Sequence, residues 1–142
     1  MLFPYSQISK SESETSLIAE EFASILIDGT IVILNGDLGA GKTFFIKRVL
    51  QKFGYTNANS PTFAIVNEYR IDRIFYHFDF YRIKSVNELL DIGFEDYLND
   101  DDAIIFIEWG NLFSQILPEK RIEVKIKINS DSTREIFITK HA

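Results

Sequence analysis

The chain has 142 residues, of which 46 % are hydrophobic and 25 % charged, with a formal net charge of −6; this is the profile of one globular domain over 1–142, not of a disordered chain. It contains no cysteine, which excludes disulfides and thiolate metal sites. An acidic chain gains nothing general from counterion release on nucleic acid, MLFPYSQISKSE lacks the basic-then-apolar order of a secretory signal, and no apolar run approaches bilayer-spanning length.

The pattern predicts a helix over 9–29, with capping-box spacing from Ser11 to Glu14 and an apolar face of Leu17, Ile18, Phe22, Ile25 and Leu26, stopped by Gly29. TIVILN at 30–35 is an apolar, β-branched run, as expected of a strand covered on both faces. A glycine-rich loop follows, then a helix from Lys42 to Gly54. TFAIVNEYR (62–70) and RIFYHFDFYR (73–82) form an expected antiparallel hairpin about a short turn at Ile71 and Asp72. One helix is expected over 85–98, opened by Ser85 and Glu88, then the polar loop NDDD, then the strand AIIFIEW (103–109). The C-terminus alternates as a second hairpin, RIEVKIKIN (121–129) with REIFITK (134–140). Strands alternate with helices and antiparallel pairs are added, so the expected class is α/β, a mixed sheet flanked by helices.

Between the 30–35 strand and the next helix stands GDLGAGKT, residues 36–43, which satisfies G-x-x-x-x-G-K-[ST] in the strand–loop–helix setting that a P-loop requires. Gly36, Gly39 and Gly41 let the backbone turn at positive φ and approach a ligand with no Cβ in the way. The loop N–H groups and the helix N-terminus then make an anion nest. Lys42 would reach the β- and γ-phosphates and the Thr43 hydroxyl would ligate Mg²⁺.

Hydrolysis needs more than a cradle: a second anchor for the metal and a group that places water. AIIFIE ends in Glu108, as a Walker B strand ends in an acid, and FYHFDFY sets His77 and Asp79 on one face with Phe78 and Phe80 on the other. Ordinary alternatives stand beside these roles. Asp79 could be a strand-end acid in solvent, Glu108 a helix cap and His77 a satisfied structural histidine.

GDLGAGKT, SPTF, HFDFYR and EW, in this order across 36–109, resemble the bacterial TsaE family, formerly called YjeE. The resemblance implies a P-loop ATPase fold, ATP and Mg²⁺ as ligands, and a part in forming threonylcarbamoyladenosine on tRNAs that read ANN codons. It implies that Gly36, Asp37, Leu38, Gly39, Ala40, Gly41, Lys42 and Thr43 bind the triphosphate, joined in nucleotide binding by Phe44 and by Thr15 on the capped helix. Thr43, Thr62 in SPTF, Asp79 and Glu108 would share the metal, and Lys42, Asp79 and Glu108 would carry the catalysis. Trp109 would pack close to Glu108. Arg134 on the C-terminal hairpin suits the family layout, whereas Phe44 and Phe80 depart from a frequent Thr and Leu without removing a ligand. The implied partner is a TsaB–TsaD pair, with tRNA reached through it, no membrane, a monomer when free and a cytoplasmic setting.

Other classes fare less well on the residues. A GTPase needs a base-reading Asn-Lys-x-Asp element, and GNLFSQILP follows FIEW instead. A kinase carries an arginine-rich lid, but the arginines at 48, 70, 73, 82, 121 and 134 are scattered. A module that binds nucleotide without hydrolysing it would share the same cradle. Lys47, Arg48 and Lys52 form a small basic cluster on one helix, the ordinary form of a solvated face.

Overall fold

The two most apolar stretches of the chain become the neighbours at the heart of its sheet. In a computed structural model that describes residues 1–56, 65–70 and 72–141, the strands are β1 (Tyr5–Ser9), β2 (Ile31–Asn35), β3 (Val66–Arg70), β4 (Ile74–Asp79), β5 (Ala103–Glu108), β6 (Arg121–Ile128) and β7 (Arg134–His141). The helices are α1 (Glu12–Ala23), α2 (Lys42–Lys52), α3 (Val86–Asp91) and α4 (Phe94–Leu98), with 3-10 turns at Phe80–Arg82 and Gly110–Ile116. Among the described residues these strands form one seven-stranded sheet in the order β1-β7-β6-β2-β5-β4-β3. β2 is parallel to both β5 and β6, β4 is parallel to β5, and the outer pairs β3–β4, β6–β7 and β1–β7 are antiparallel.

β5 is buried along its whole length, because both faces of the central sheet are covered. On one face α1 and α2 pack Ile18, Phe22, Phe45 and Val49 against Val32, Leu34, Phe106 and Val124. The Phe22 and Phe45 rings meet with centroids 5.6 Å apart, and each fully buried Phe contributes about 2–3 kcal/mol of burial. On the other face Ile33, Phe78, Phe80 and Ile107 meet Leu89 and Phe94 of α3 and α4. That cover stops short of β6: Ile122, Val124 and Ile126 are buried while Lys125 and Lys127 are exposed, which is why this strand alternates and β5 does not.

Several expected boundaries move. β1 has no counterpart in the sequence reading; it is a five-residue edge strand, mostly polar, and its pairing with β7 defines it. Ser11 caps α1 through the Glu14 N–H, but the Glu14 carboxylate accepts from the Lys10 N–H, not from the cap itself. α1 ends at Ala23 instead of running on to Gly29, because tight turns take over: Ile25 N–H donates to Phe22 and Leu26 N–H to Ala23. Leu17, expected on the apolar face, is 65 % exposed; Thr15 and Ala19 are buried on the face that α1 uses. The helix expected over 85–98 is two, broken where Gly93 takes a left-handed φ of 78°. Ser85 makes no side-chain cap, and the Glu88 carboxylate accepts instead from the Lys84 N–H. The first hairpin is antiparallel as expected, with Val66 opposite Phe78 and Arg70 opposite Ile74. Residues 62–64 of its first expected strand, and Ile71 of its turn, lie outside the described residues. Its second strand stops at Asp79, where the carboxylate accepts from the Tyr81 N–H and starts a 3-10 turn.

Candidate functional site

Parallel strands end at one edge of their sheet, so the loops after β2, β4 and β5 gather there. Leu38, Gly39, Gly41, Lys42, Thr43, Phe44, Asp79, Tyr81, Arg82, Glu108 and Trp109 line a cavity of about 650 Å³ at this edge. The loop that opens it needs its glycines. A Cβ on Gly36 would sit 2.4 Å from the Ile126 carbonyl oxygen of β6, and Gly41 has φ of 107°. Gly41 caps α2 with no side-chain hydrogen bond, so the N-terminal end of the helix carries backbone N–H groups of the kind that receive an anion. Arg134 of β7 holds the loop from behind, Nε donating to the Ala40 carbonyl at 2.7 Å and Nη2 to that of Gly39 at 3.3 Å.

Lys42 is 4 % exposed. Its ammonium donates to the Gly36 carbonyl at 2.5 Å and the Asp37 carbonyl at 2.9 Å, and lies 4.2 Å from the centre of the Trp109 ring. Burial pulls its pKa below the ordinary lysine value, against the opposing pull of Glu108, Asp79 and Asp37. Tyr81 packs on Trp109 with ring centroids 5.1 Å apart, and Trp109 itself holds a left-handed backbone with φ of 62°.

Glu108 is the hub. Thr43 Oγ1 donates to its two oxygens at 3.0 and 3.1 Å, and His77 Nε2 stands 2.6 Å from Oε2. Glu108 is therefore no helix cap; it is buried and joins the loop to β4. Two adjacent ligands of an octahedral Mg²⁺, each about 2.1 Å from the ion, stand about 3.0 Å apart. The Thr43 hydroxyl and Glu108 Oε1 are 3.0 Å apart, so this pair fits the ion. Among the described residues no group of three or more carboxylate or imidazole side chains could hold a metal ion by itself.

Asp79 lies one strand farther out. Its side chain is 14 % exposed, with Oδ2 3.5 Å from Arg82 Nε. Burial, and next the Glu108 charge, hold its carboxyl above the ordinary value, while the Tyr81 N–H, Arg82 and His77 pull the other way.

The structure thus brings Leu38, Gly39, Gly41, Lys42, Thr43, Phe44, Asp79 and Glu108 to one cavity. Gly36, Asp37 and Ala40 build the loop without lining it. Thr15 does not join them: it is buried on α1, its hydroxyl 2.6 Å from that of Ser9. Thr62 lies outside the described residues. Lys47 and Lys52 share α2 with Arg48, whose guanidinium lies over Phe44 and donates to Gln51.

Residues 9–136 match the family model described as "Threonylcarbamoyl adenosine biosynthesis protein TsaE". The chain belongs to the TsaE family. It is 43 % identical over 133 residues to the tRNA threonylcarbamoyladenosine biosynthesis protein TsaE of Rickettsia typhi, covering 92 % of this chain and 91 % of that one. To the protein of that name from Bacillus subtilis it is 38 % identical over 128 residues, 89 % of this chain and 79 % of that one. The crystal structure of Bacillus subtilis YdiB superposes with a TM-score of 0.84 at 30 % identity, covering all of this chain and 88 % of that one.

For this TsaE-family chain the sequence reading understated three side chains. The sequence leaves His77 between a structural role and one beside Asp79, fits Arg134 to the family layout alone and sets Trp109 near Glu108; the structure adds the contacts of His77 to Glu108, Arg134 to the loop carbonyls and Trp109 to Lys42. His77 had a usable signal, since it sits two residues before Asp79 on the same strand face. Nothing in the sequence places Arg134 behind a loop 94 residues earlier. No helix among the described residues is long and apolar enough to cross a membrane.

Proposed function

We propose that this chain binds ATP with Mg²⁺ in the cavity at the α2 N-terminus and hydrolyses it. It would act in the cytoplasm as a nucleotide-dependent switch on a TsaB–TsaD complex that forms threonylcarbamoyladenosine on tRNA. The observation that carries this reading is the convergence of Lys42, Thr43, Asp79 and Glu108, from three different strand ends, on one cavity. The tRNA role is supported by the relatives from Rickettsia typhi and Bacillus subtilis, both threonylcarbamoyladenosine biosynthesis proteins by name.

The residues divide the work. The loop N–H groups and the positive end of α2 receive the phosphates. Lys42 turns from the Gly36 and Asp37 carbonyls toward β- and γ-phosphate oxygens, where its charge opposes theirs. Thr43 and Glu108 hold the metal, which would neutralise charge on the bridging and terminal phosphates when bound. Asp79, across the cavity, orients metal-bound or attacking water. Trp109 and Tyr81 wall the cavity beside the Lys42 ammonium.

The test is phosphate release from ATP and from GTP by wild type and Lys42→Ala. Losing the ammonium frees two carbonyls at a cavity open to water, a cost of about 1 kcal/mol or less. The variant is therefore expected to fold, to bind ATP weakly and to release no phosphate. A folded Lys42→Ala protein that hydrolyses ATP at the wild-type rate overturns the proposal.

A further inference from the structure

The site leaves one buried polar atom without a partner. His77 is 1 % exposed on β4, Nε2 is bonded to Glu108 Oε2, and Nδ1 is buried with no hydrogen-bond partner among the described residues. A buried polar atom without a partner is destabilising, so a purely structural histidine is a poor use of this position. A phenylalanine would fill the same space beside Phe106, its register partner on β5, with no polar atom to satisfy.

We infer that His77 is a positioning residue that decides which oxygen of Glu108 faces the metal. The inference rests on the Mg²⁺–ATP reading of the cavity. A carboxylate only accepts hydrogen bonds, so Nε2 carries the hydrogen of this bond. The Nε2–H donor ties down Oε2. The Thr43 hydroxyl lies 3.0 Å from Oε1 and 3.1 Å from Oε2, so the two oxygens are told apart by His77, which engages Oε2 and leaves Oε1 for the ion. Without His77 both oxygens could swing to the ion, and Glu108 would sample geometries that an octahedral Mg²⁺ does not accept. The imidazole reaches Oε2 because Nε2 is its far nitrogen. A donor at the Nδ1 position would fall short.

That difference gives the test. The glutamine amide nitrogen occupies the place of Nε2, whereas the asparagine nitrogen occupies that of Nδ1. Affinity for a non-hydrolysable ATP analogue is measured with Mg²⁺ and in EDTA for wild type, His77→Gln, His77→Asn and Glu108→Gln. His77→Asn is expected to lose about tenfold or more of the Mg²⁺-dependent gain in affinity, as loss of an outer-shell partner does, with its EDTA affinity within about twofold of wild type. His77→Gln is expected to keep the gain to within about threefold. Equal behaviour of the Gln and Asn variants, whether both intact or both impaired, overturns the inference. Failure of the underlying reading looks different, because then Glu108→Gln retains the full Mg²⁺ effect. A second measurement needs no variant. The chain has only two histidines, and His141 is partly exposed on β7, so ¹⁵N-histidine spectra of the wild type assign His77 directly. A hydrogen on Nε2 is expected, and an Nδ1–H tautomer with Nε2 bare would overturn the inference even if every variant misfolded.

Discussion

Replacing Gly36 by alanine puts one methyl group into the tightest point of the loop. Its Cβ would stand 2.4 Å from the Ile126 carbonyl oxygen and 3.3 Å from the Ala40 Cβ. An ordinary carbon–oxygen contact is about 3.3 Å or more, so something must move by roughly 1 Å. Ile126 is held in β6 and paired with Ile136 of β7, so the sheet resists and the loop gives way. Overpacking of this kind costs about 1–3 kcal/mol. For a chain of this length that lowers Tm by about 3–12 °C. A shift of about 1 Å in the cradle also costs on the order of a hundredfold in any reaction that depends on phosphate placement. Gly39→Ala is the internal control, because no atom lies within 4 Å of its added Cβ and only its φ of 78° penalises it, by about 1–2 kcal/mol. Thermal melting and titration with a non-hydrolysable ATP analogue separate the two: both variants melt lower, and only Gly36→Ala loses most of its nucleotide affinity. A Gly36→Ala protein with wild-type Tm and affinity would refute the steric argument.

Asp79→Asn tests the cost of an ionised acid at the cavity wall. Its folded pKa lies above the ordinary 3.8, so the native state keeps this proton to higher pH than the unfolded chain does. The destabilisation is therefore absent below about 3.8 and fully present above the folded value. Ligand-free Asp79→Asn is expected to melt at or above wild type at pH 7, with the advantage shrinking on acidification, while Mg²⁺–ATP no longer raises its Tm as far. A deficit that does not change with pH would refute this. Arg82 lines the cavity with Nε 3.5 Å from Asp79 Oδ2 and its side chain 44 % exposed, so it is a cation that a bound partner could place against the phosphates. Adding a TsaB–TsaD pair is expected to raise steady-state ATP hydrolysis at least about tenfold, roughly 1.4 kcal/mol of barrier, and Arg82→Ala to cut the stimulated rate more than the basal one. Equal rates with and without a demonstrated complex would leave an autonomous ATPase.

The elements legible in the sequence are those whose local pattern and tertiary environment agree. β2, α2, β5 and the β6–β7 hairpin have clean apolar runs or clean alternation, and the sheet uses them as written. Failures fall where a distant partner decides. β1 is polar and short, and only the β7 edge makes it a strand. Leu17 has the right spacing for the apolar face of α1, but α2 packs one position round, on Ile18, Ala19 and Phe22. The Ser85 box has the right letters, but Glu88 reaches past the cap to Lys84. Gly93 inside an otherwise helical stretch was the one available warning that 85–98 is not continuous.

The site itself was legible as a set of residues and not as an arrangement, for a topological reason. Along the chain Asp79 comes before Glu108 and is nearer the loop. The sheet reverses that order. β4 is laid down first but displaced outward, and β5 inserts between β2 and β4, with Leu34 opposite Glu108 and Glu108 opposite Asp79. Neighbouring strands are about 4.8 Å apart, so an acid on the adjacent strand can hydrogen-bond the loop threonine and an acid two strands away cannot. Glu108 accordingly takes the Thr43 hydroxyl at 3.0 Å, and Asp79 instead starts the turn at Tyr81 and pairs with Arg82. The same insertion brings β4 beside β5 and gives Glu108 its second neighbour, His77. Strand order therefore ranks the two acids, making one the tightly held partner of the loop and the other a wall of the cavity.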